Sequence, residues 1–278
     1  MKNKSWRLII DGPLTGKRNM AVDESILINC NKREQPTLRF YKWDPPCLSL
    51  GYFQKTGEID LHACAEKGID VVRRPTGGRA VLHKNELTYS VILPLSILPG
   101  KLLETYKIIS SALTAGLQKL GIKARLTPAR KQLPTSSAAC FDVSSSYEIN
   151  WEGKKLIGSA QTRRDSALLQ HGSIPIFDYS QELISLLNLD SDRRQALKRV
   201  LTRKASSLTG AGLTWSEEEY LQGIQKLEKA FQAGFEQELG LDFWSGDLTP
   251  EEEKLACELE ESKYGNLNWR PEKTPSSQ

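Results

Sequence analysis

Tyr147-Glu148-Ile149-Asn150-Trp151-Glu152-Gly153-Lys154-Lys155-Leu156-Ile157-Gly158-Ser159-Ala160-Gln161-Thr162 is the stretch on which the fold class turns. Tyr147, Ile149 and Trp151 alternate onto one face, Glu152-Gly153 reads as a turn, and an extended run continues from Lys155 to Thr162. A further strand candidate follows from Ala167 to Ile176. These are hairpins, not the βαβ units of a parallel sheet.

Upstream, Asn19 to Lys32 predicts a helix that carries Met20, Ile26 and Leu27 inward. Two alternating runs, Thr37 to Trp43 and Cys47 to Phe53, must turn at Asp44-Pro45-Pro46. Gly57 to Lys67 reads as a short helix closed by Gly68 at its C′ position. Gly100 to Leu120 is amphipathic, with Leu102, Tyr106, Ile109, Leu113, Leu117 and Leu120 three or four apart ahead of Gly121. Pro128 to Ser137, with two prolines and a Thr-Ser-Ser run, predicts a mobile loop of the kind that acts as a lid. After Asp178 the chain turns helical: Ser216 with Glu219 forms a capping box, Gly240 ends that helix, and Thr249-Pro250-Glu251-Glu252 opens another. The tail from Pro271 to Gln278 is polar and expected to fray. The expectation is an α+β fold, a mostly antiparallel or mixed sheet packed with helices and a helical C-terminal portion.

The chain has 278 residues, 39% hydrophobic and 26% charged, which suits an ordinary soluble globular protein of one large domain, with or without a small appendage. A net charge of +4 favours an acidic partner protein, and the absence of a dense Lys/Arg stripe argues against nucleic acid. The apolar run Leu8-Ile9-Ile10 is too short for a signal peptide or a membrane span, so a cytoplasmic protein with no membrane partner is expected. Cys30, Cys47, Cys64, Cys140 and Cys257 are odd in number and contain no C-x-x-C pair, which predicts reduced thiols. His62, His83 and His171 lack ligand spacing, so neither a metal nor a cofactor is expected.

The chemistry concentrates in Arg73-Arg74-Pro75-Thr76-Gly77-Gly78-Arg79-Ala80-Val81-Leu82-His83, between the strand-like runs Ile69 to Val72 and Leu87 to Leu93. Pro75 fixes its own φ, Gly77-Gly78 can bend sharply and approach a ligand, and Arg73, Arg74 and Arg79 bring forked donors. Such a segment suits a ligand with an elongated apolar part and a polar or anionic head, although the same residues also make a plain surface turn. It has neither the lysine of a P-loop nor a dinucleotide fingerprint.

A second constellation is Cys140-Phe141-Asp142, Tyr147-Glu148-Ile149, Gly153-Lys154-Lys155-Leu156-Ile157-Gly158-Ser159-Ala160-Gln161-Thr162-Arg163 and Gln170-His171-Gly172-Ser173. Together the two segments resemble the lipoate and biotin attachment superfamily: lipoate–protein ligases, octanoyltransferases and biotin–protein ligases. The likeness extends through Asn19 to Glu24, Leu38 to Tyr41, Leu48 to Gln54, Phe235, Leu248 to Glu252 and Lys263-Tyr264. It implies a ligase-like catalytic domain over 1–245, with 246–278 as a helical extension and tail of the same unit. Cys140 lies upstream of the lysine motif, which is similar to the cysteine-dependent octanoyltransferases of Gram-positive bacteria. Downstream of Gln161 only Cys257 remains, so the arrangement with a nucleophile after the lysine strand has no candidate.

The resemblance implies transfer of an octanoyl group from octanoyl-acyl carrier protein to a lysine of lipoyl domains (glycine-cleavage H protein, E2 subunits), through a thioester on Cys140. Lys155 is implied to keep that thiol reactive, since a thiol with an ordinary pKa of about 8.5 is mostly protonated at neutral pH and a nearby ammonium favours the thiolate. Lys154 and Lys155 face opposite sides of the strand, so only one can line a pocket. Substrate-binding positions implied are Arg74, Thr76, Gly77, Gly78, Arg79, His83, Gly158, Ser159, Ala160 and His171. His83 reads as a pocket wall or loop anchor and His171 as either a site or a structural histidine; neither is assigned as general base. Cys30, Cys47, Cys64 and Cys257 read as small hydrophobes. Val143-Ser144-Ser145-Ser146 lacks the proline of close relatives, which bears on loop conformation more than on chemistry. Three other functions compete: an amidotransferase moving the acyl group from H protein to E2 subunits, an ATP-dependent lipoate–protein ligase, and a non-catalytic carrier-binding homologue. Intact Cys140 and Lys155 argue against the last.

Overall fold

The structure, a computed structural model, describes residues 4–98, 102–128, 147–164 and 166–267, the side chains of 31–33 and 102 excepted. The lid expectation beyond Pro128, Cys140, the Val143 to Ser146 departure and the tail from Pro271 fall outside the described residues.

The chain opens with β1 (Ser5–Leu14), α1 (Gly16–Arg33), β2 (Thr37–Trp43), β3 (Cys47–Leu50), α2 (Leu61–Glu66), β4 (Asp70–Arg73) and β5 (Val81–His83). It continues through β6 (Glu86–Pro94), α3 (Leu102–Lys119), β7 (Arg125–Pro128), β8 (Tyr147–Trp151), β9 (Lys154–Arg164) and β10 (Ala167–Pro175). Four helices and a strand complete it: α4 (Ser180–Ser185), α5 (Ser191–Lys204), α6 (Tyr220–Leu239), β11 (Asp242–Ser245) and α7 (Pro250–Leu259). Eight strands form one sheet in the order β11-β1-β2-β6-β10-β9-β8-β7, and three form a smaller sheet, β4-β3-β5.

The expected hairpins are present. β8 turns into β9 through Glu152 and Gly153, both at positive φ (49° and 79°), the two-residue turn whose twist matches paired strands. β9–β10, β10–β6 and β6–β2 are all antiparallel. The far edge makes the sheet mixed: β1 pairs parallel with both β2 and β11, so β1–α1–β2 is a βαβ unit. β1, β7 and β11 went unforeseen because each is short or broken in pattern, β1 by Asp11-Gly12-Pro13, and each becomes a strand through its neighbours. β3 stops at Leu50, and residues 51–54 form a turn in place of the expected strand end.

Helices cover both faces of the large sheet. On one, α3 and α6 lay Leu113, Leu117, Phe231 and Phe235 over Phe40, Tyr89 and Val91. The two helix backbones touch, since a Cβ on Gly234 would stand 2.5 Å from both the Ala112 oxygen and the Gly116 nitrogen. On the other face, α1 buries Met20, Ile26 and Leu27 against Tyr41, Ile92 and Leu169. Thr15 caps α1, its Oγ1 accepting from the Arg18 N–H at 3.2 Å. α7 packs outside α1 behind the capping box of Thr249 and Glu252, and is tied inward by the bidentate Arg7–Glu252 pair, 2.7 Å on each arm. Beyond α7, Lys263 and the Tyr264 hydroxyl both donate to the buried Glu24 at 2.6 Å. The small sheet has its own apolar cluster with α2, α4 and α5, including Leu48, Leu50, Leu82, Leu183 and Leu201.

Candidate active site

Strand register fixes the site. Arg39, Ser90, His171 and Ala160 lie in one row across β2, β6, β10 and β9, and Tyr41, Thr88, Ser173 and Gly158 lie two residues along. The intervening row is Phe40, Tyr89, Gly172 and Ser159. Alternation sends that middle row toward α3 and α6 and the outer rows toward α1 and the small sheet. Gly172 must lack a side chain: a Cβ there would stand 2.7 Å from the Tyr89 ring and 2.6 Å from the Gly158 oxygen. With Gly172 bare, the Tyr89 and Ser159 hydroxyls meet at 2.7 Å.

Between the outer rows and the small sheet lies a small cavity, lined by Met20, Tyr41, Trp43, Val81, His83 and His171, together with Ser49, Arg74 and Gly158 to Ala160. Its lining is polar by residue type and greasy by surface. The Tyr41 hydroxyl is turned onto Asp23 (3.0 Å), and the Trp43 indole N–H onto Thr88 (2.7 Å). His83 spends Nδ1 on Glu86 (2.7 Å) and Nε2 on Ser49 (2.8 Å), and stacks on Trp43 at 4.0 Å. His171 spends Nδ1 on Asp23 (3.2 Å) and Nε2 on Thr76 (2.6 Å). The rings are left to present carbon, which suits an apolar chain better than a charged head.

Behind the cavity sits a buried charge cluster. Asp23 accepts from Arg39 Nη1 (2.7 Å) and Ser90 (2.9 Å) as well as from Tyr41 and His171. Arg39, fully buried, also donates to Asp11 (2.6 Å) and to the Asn19 side chain (2.9 Å). Burial alone would raise the Asp23 carboxyl, but Arg39 and His171 overrule it and hold it below the ordinary range. Burial pushes His171 down despite the pull of Asp23, so the imidazole is neutral at pH 7. Its Nδ1 proton then goes to Asp23, and Nε2 accepts from the Thr76 hydroxyl.

The glycine-arginine loop is braced by its own arginines. Arg74 donates to the Ser49 oxygen (3.0 Å), to Gly77 O and to Arg79 O (both 2.8 Å), and Arg79 pairs with Glu58 at 3.3 Å. Gly78 takes φ +100°, and the Gly51 backbone packs against its carbonyl more closely than any Cβ would allow. Of the positions implied by sequence, Arg74, His83, Gly158, Ser159, Ala160 and His171 meet at this cavity; Thr76 touches it through His171, and Gly77, Gly78 and Arg79 belong to the loop that Arg74 and Glu58 hold.

Lys155 reaches the cavity's side of the sheet because β9 carries a bulge. Asn150 pairs with Lys155 and Ile149 with Ile157, so Leu156 is an extra residue. Without it, Lys155 would share a face with Ser159 and point at the helices. Lys155 is buried, with Nζ 3.8 Å from Glu148 Oε1.

Burial pushes the Cys30 thiol up to about 12 and Cys64 to about 11, and Cys47 well above its ordinary value, so all three are protonated and inert. Cys257 is exposed on α7. Among the described residues no cluster of His, Cys, Asp and Glu could hold a metal ion, and no helix is long and apolar enough to cross a membrane. Asp23, Arg39, Trp43, Ser49, Glu86 and Ser173 were not foreseen as site residues. Several stand in the matched stretches Asn19 to Glu24, Leu38 to Tyr41 and Leu48 to Gln54, which was the available signal.

Residues 15–226 match the lipoyl protein ligase A/B catalytic domain. The chain is 42% identical to octanoyltransferase LipM of Symbiobacterium thermophilum, over 97% of this chain and 99% of that protein. It is 44% identical to octanoyltransferase LipM of Kyrpidia tusciae, over 96% and 98%. Among solved structures it resembles a bipartite lipoate protein ligase of Thermoplasma acidophilum, studied with its E2 lipoyl domain, with TM-score 0.79, 26% identity and coverage of 98% and 100%. Lipoate-protein ligase A bound with ATP gives TM-score 0.76 and 27% identity, over 95% and 98%.

Proposed function

The chain belongs to the lipoyl protein ligase A/B catalytic domain family, and we propose that it carries an octanoyl group from octanoyl-acyl carrier protein, through a thioester on Cys140, to the lysine of a lipoyl domain. The single observation that carries this reading is likeness over nearly the whole chain to the LipM octanoyltransferases, acyltransferases of lipoate biosynthesis. The cavity is consistent with it: a pocket whose polar atoms are satisfied among themselves favours an acyl chain.

In the first step the Cys140 thiolate attacks the donor carbonyl, a new C–S bond forms, and the carrier leaves as its thiol after taking up a proton. In the second, the neutral amine of the acceptor lysine attacks the enzyme thioester. A C–N bond forms, the C–S bond to Cys140 breaks, and the amine's proton is released as the thiolate departs. Exchange between thioesters is nearly level and amide formation runs downhill, so no ATP is consumed. Lys155, turned to the cavity's side by the bulge at Leu156, is the cation assigned to favour the thiolate and to polarise the acyl carbonyl.

Donor competition tests the reading. Octanoyl-acyl carrier protein without ATP is expected to octanoylate an apo lipoyl domain. Transfer only from octanoylated H protein would identify an amidotransferase, and transfer only from free octanoate with ATP would identify a ligase. Lys155→Ala is expected to move the pH profile of Cys140 alkylation upward; an unmoved profile removes Lys155 from that role.

A further inference from the structure

Residues 51–54 form a tight turn, the Gln54 N–H donating to the Gly51 oxygen at 3.0 Å. This turn is pinned from three sides. The buried Arg73 guanidinium donates through one nitrogen to Gly51 O (2.9 Å), Tyr52 O (3.1 Å) and Gln54 O (2.6 Å). The Tyr52 N–H donates to Thr76 O at 2.8 Å, and the Gly51 backbone lies against Gly78. All this bracing presents Phe53 at the tip, 84% exposed, edge-on to Tyr52 at 4.8 Å. Exposed Lys55 follows directly. One link separates the turn from the cavity, since Thr76 also meets His171 at 2.6 Å.

We propose that this turn is the docking point for the acceptor protein, with Phe53 as its apolar anchor and Lys55 favouring an acidic acceptor surface. The proposal rests on the reading of the chain as an acyl transferase to lipoyl domains. Reach selects the acceptor. A donor thioester arrives at the end of its carrier's long prosthetic arm, so the carrier body can sit at a distance. A lysine spans only roughly 6 Å from Cα to Nζ by ordinary bond lengths. The acceptor's backbone must therefore lie close to the cavity, and the pinned turn is hydrogen-bonded to Thr76, the residue that meets the cavity-lining His171. A pinned backbone turn lowers the ordering cost of docking, and an exposed aromatic at its tip is of the kind that serves as an interface hot spot. The charge agrees: Lys55 and a net +4 favour an acidic partner.

The test is a binding titration of full-length enzyme with an apo lipoyl domain whose modifiable lysine is replaced by arginine, so that docking is read without chemistry. Phe53→Ala is expected to weaken binding about tenfold or more, and Phe53→Trp to restore it. Lys55→Glu is expected to weaken binding at low salt and less so at high salt. Leu221→Ala, a control on α6 at 68% exposure, leaves binding unchanged. Self-acylation of Phe53→Ala from octanoyl-acyl carrier protein is expected to proceed within about twofold of wild type. Unchanged acceptor affinity in Phe53→Ala overturns the proposal. So does an equal loss in self-acylation, which would make the donor the occupant, or a wild-type dimer that Phe53→Ala dissociates. Failure of the octanoyl-transfer reading shows separately, as absence of wild-type self-acylation.

Discussion

β2, β6 and β10 offer alternate residues to two opposite neighbours, and the two faces use burial for different ends. Toward α3 and α6 they present Phe40, Leu87, Tyr89, Val91 and Ile174 to a mainly apolar helix contact, in which the buried Lys42–Glu228 pair at 2.8 Å is the charged exception. Toward α1 and the small sheet, the same strands present Arg39, Tyr41, Thr88, Ser90, His171 and Ser173. Both sets are buried, so exposure does not distinguish them. The apolar face stabilises by area removed from water, about 25 cal/mol per Å², a non-directional term that tolerates rearrangement. On the polar face each group is satisfied by particular partners at particular distances, and loss of one partner leaves a buried charge or dipole behind. The difference teaches where geometry is specified: the helix pair holds the sheet together, and the charge cluster sets the rings that line the cavity.

The largest expected effect lies on the polar face. Asp23→Ala removes the carboxylate shared by Arg39, Tyr41, Ser90 and His171, and is expected to cost about 3–5 kcal/mol in urea unfolding, together with octanoyl transfer. A cost under about 1 kcal/mol would break the comparison. On the apolar face Gly234→Ala must push α3 and α6 apart and is expected to cost about 1–3 kcal/mol, with transfer per folded molecule retained. A comparable loss of activity in that variant would mean the two faces are not separable.

Acid sharpens the contrast further. The folded pKa of His171 lies below its ordinary 6.5, so between the two values the unfolded chain binds a proton that the folded chain refuses. Stability attributable to His171 is therefore full above about pH 6.5 and is lost as pH falls through that value toward the folded pKa. His171→Asn, whose amide can still donate to Asp23, is expected to be less stable at pH 8 but to show a shallower decline as pH falls below about 6.5. An unchanged slope would assign the acid sensitivity to another group.

Local chemistry was legible where it decides local structure. The Glu152-Gly153 turn, the Thr249 capping box and the Gly68 and Gly240 stops all appear where their residues demand positive φ or a cap. Long-range partnership was not. Nothing in the neighbourhood of Asp23 announces that Arg39, Ser90 and His171 will converge on it, because those contacts exist only once β2, β6 and β10 are in register. The arginines of the glycine loop look like ligand donors in sequence, yet the structure turns Arg73 and Arg74 onto carbonyls of the chain itself. The side of the sheet that Lys155 takes depends on one bulged residue, which simple alternation from Ser159 would have reversed.

Intact-mass measurement of the enzyme after incubation with octanoyl-acyl carrier protein, without ATP, tests the central claim most directly. The account predicts a gain of one octanoyl group that hydroxylamine removes and that Cys140→Ala abolishes while Cys257→Ala retains it. A gain that survives Cys140→Ala, or acceptor octanoylation with no acylated enzyme at any time, would contradict it.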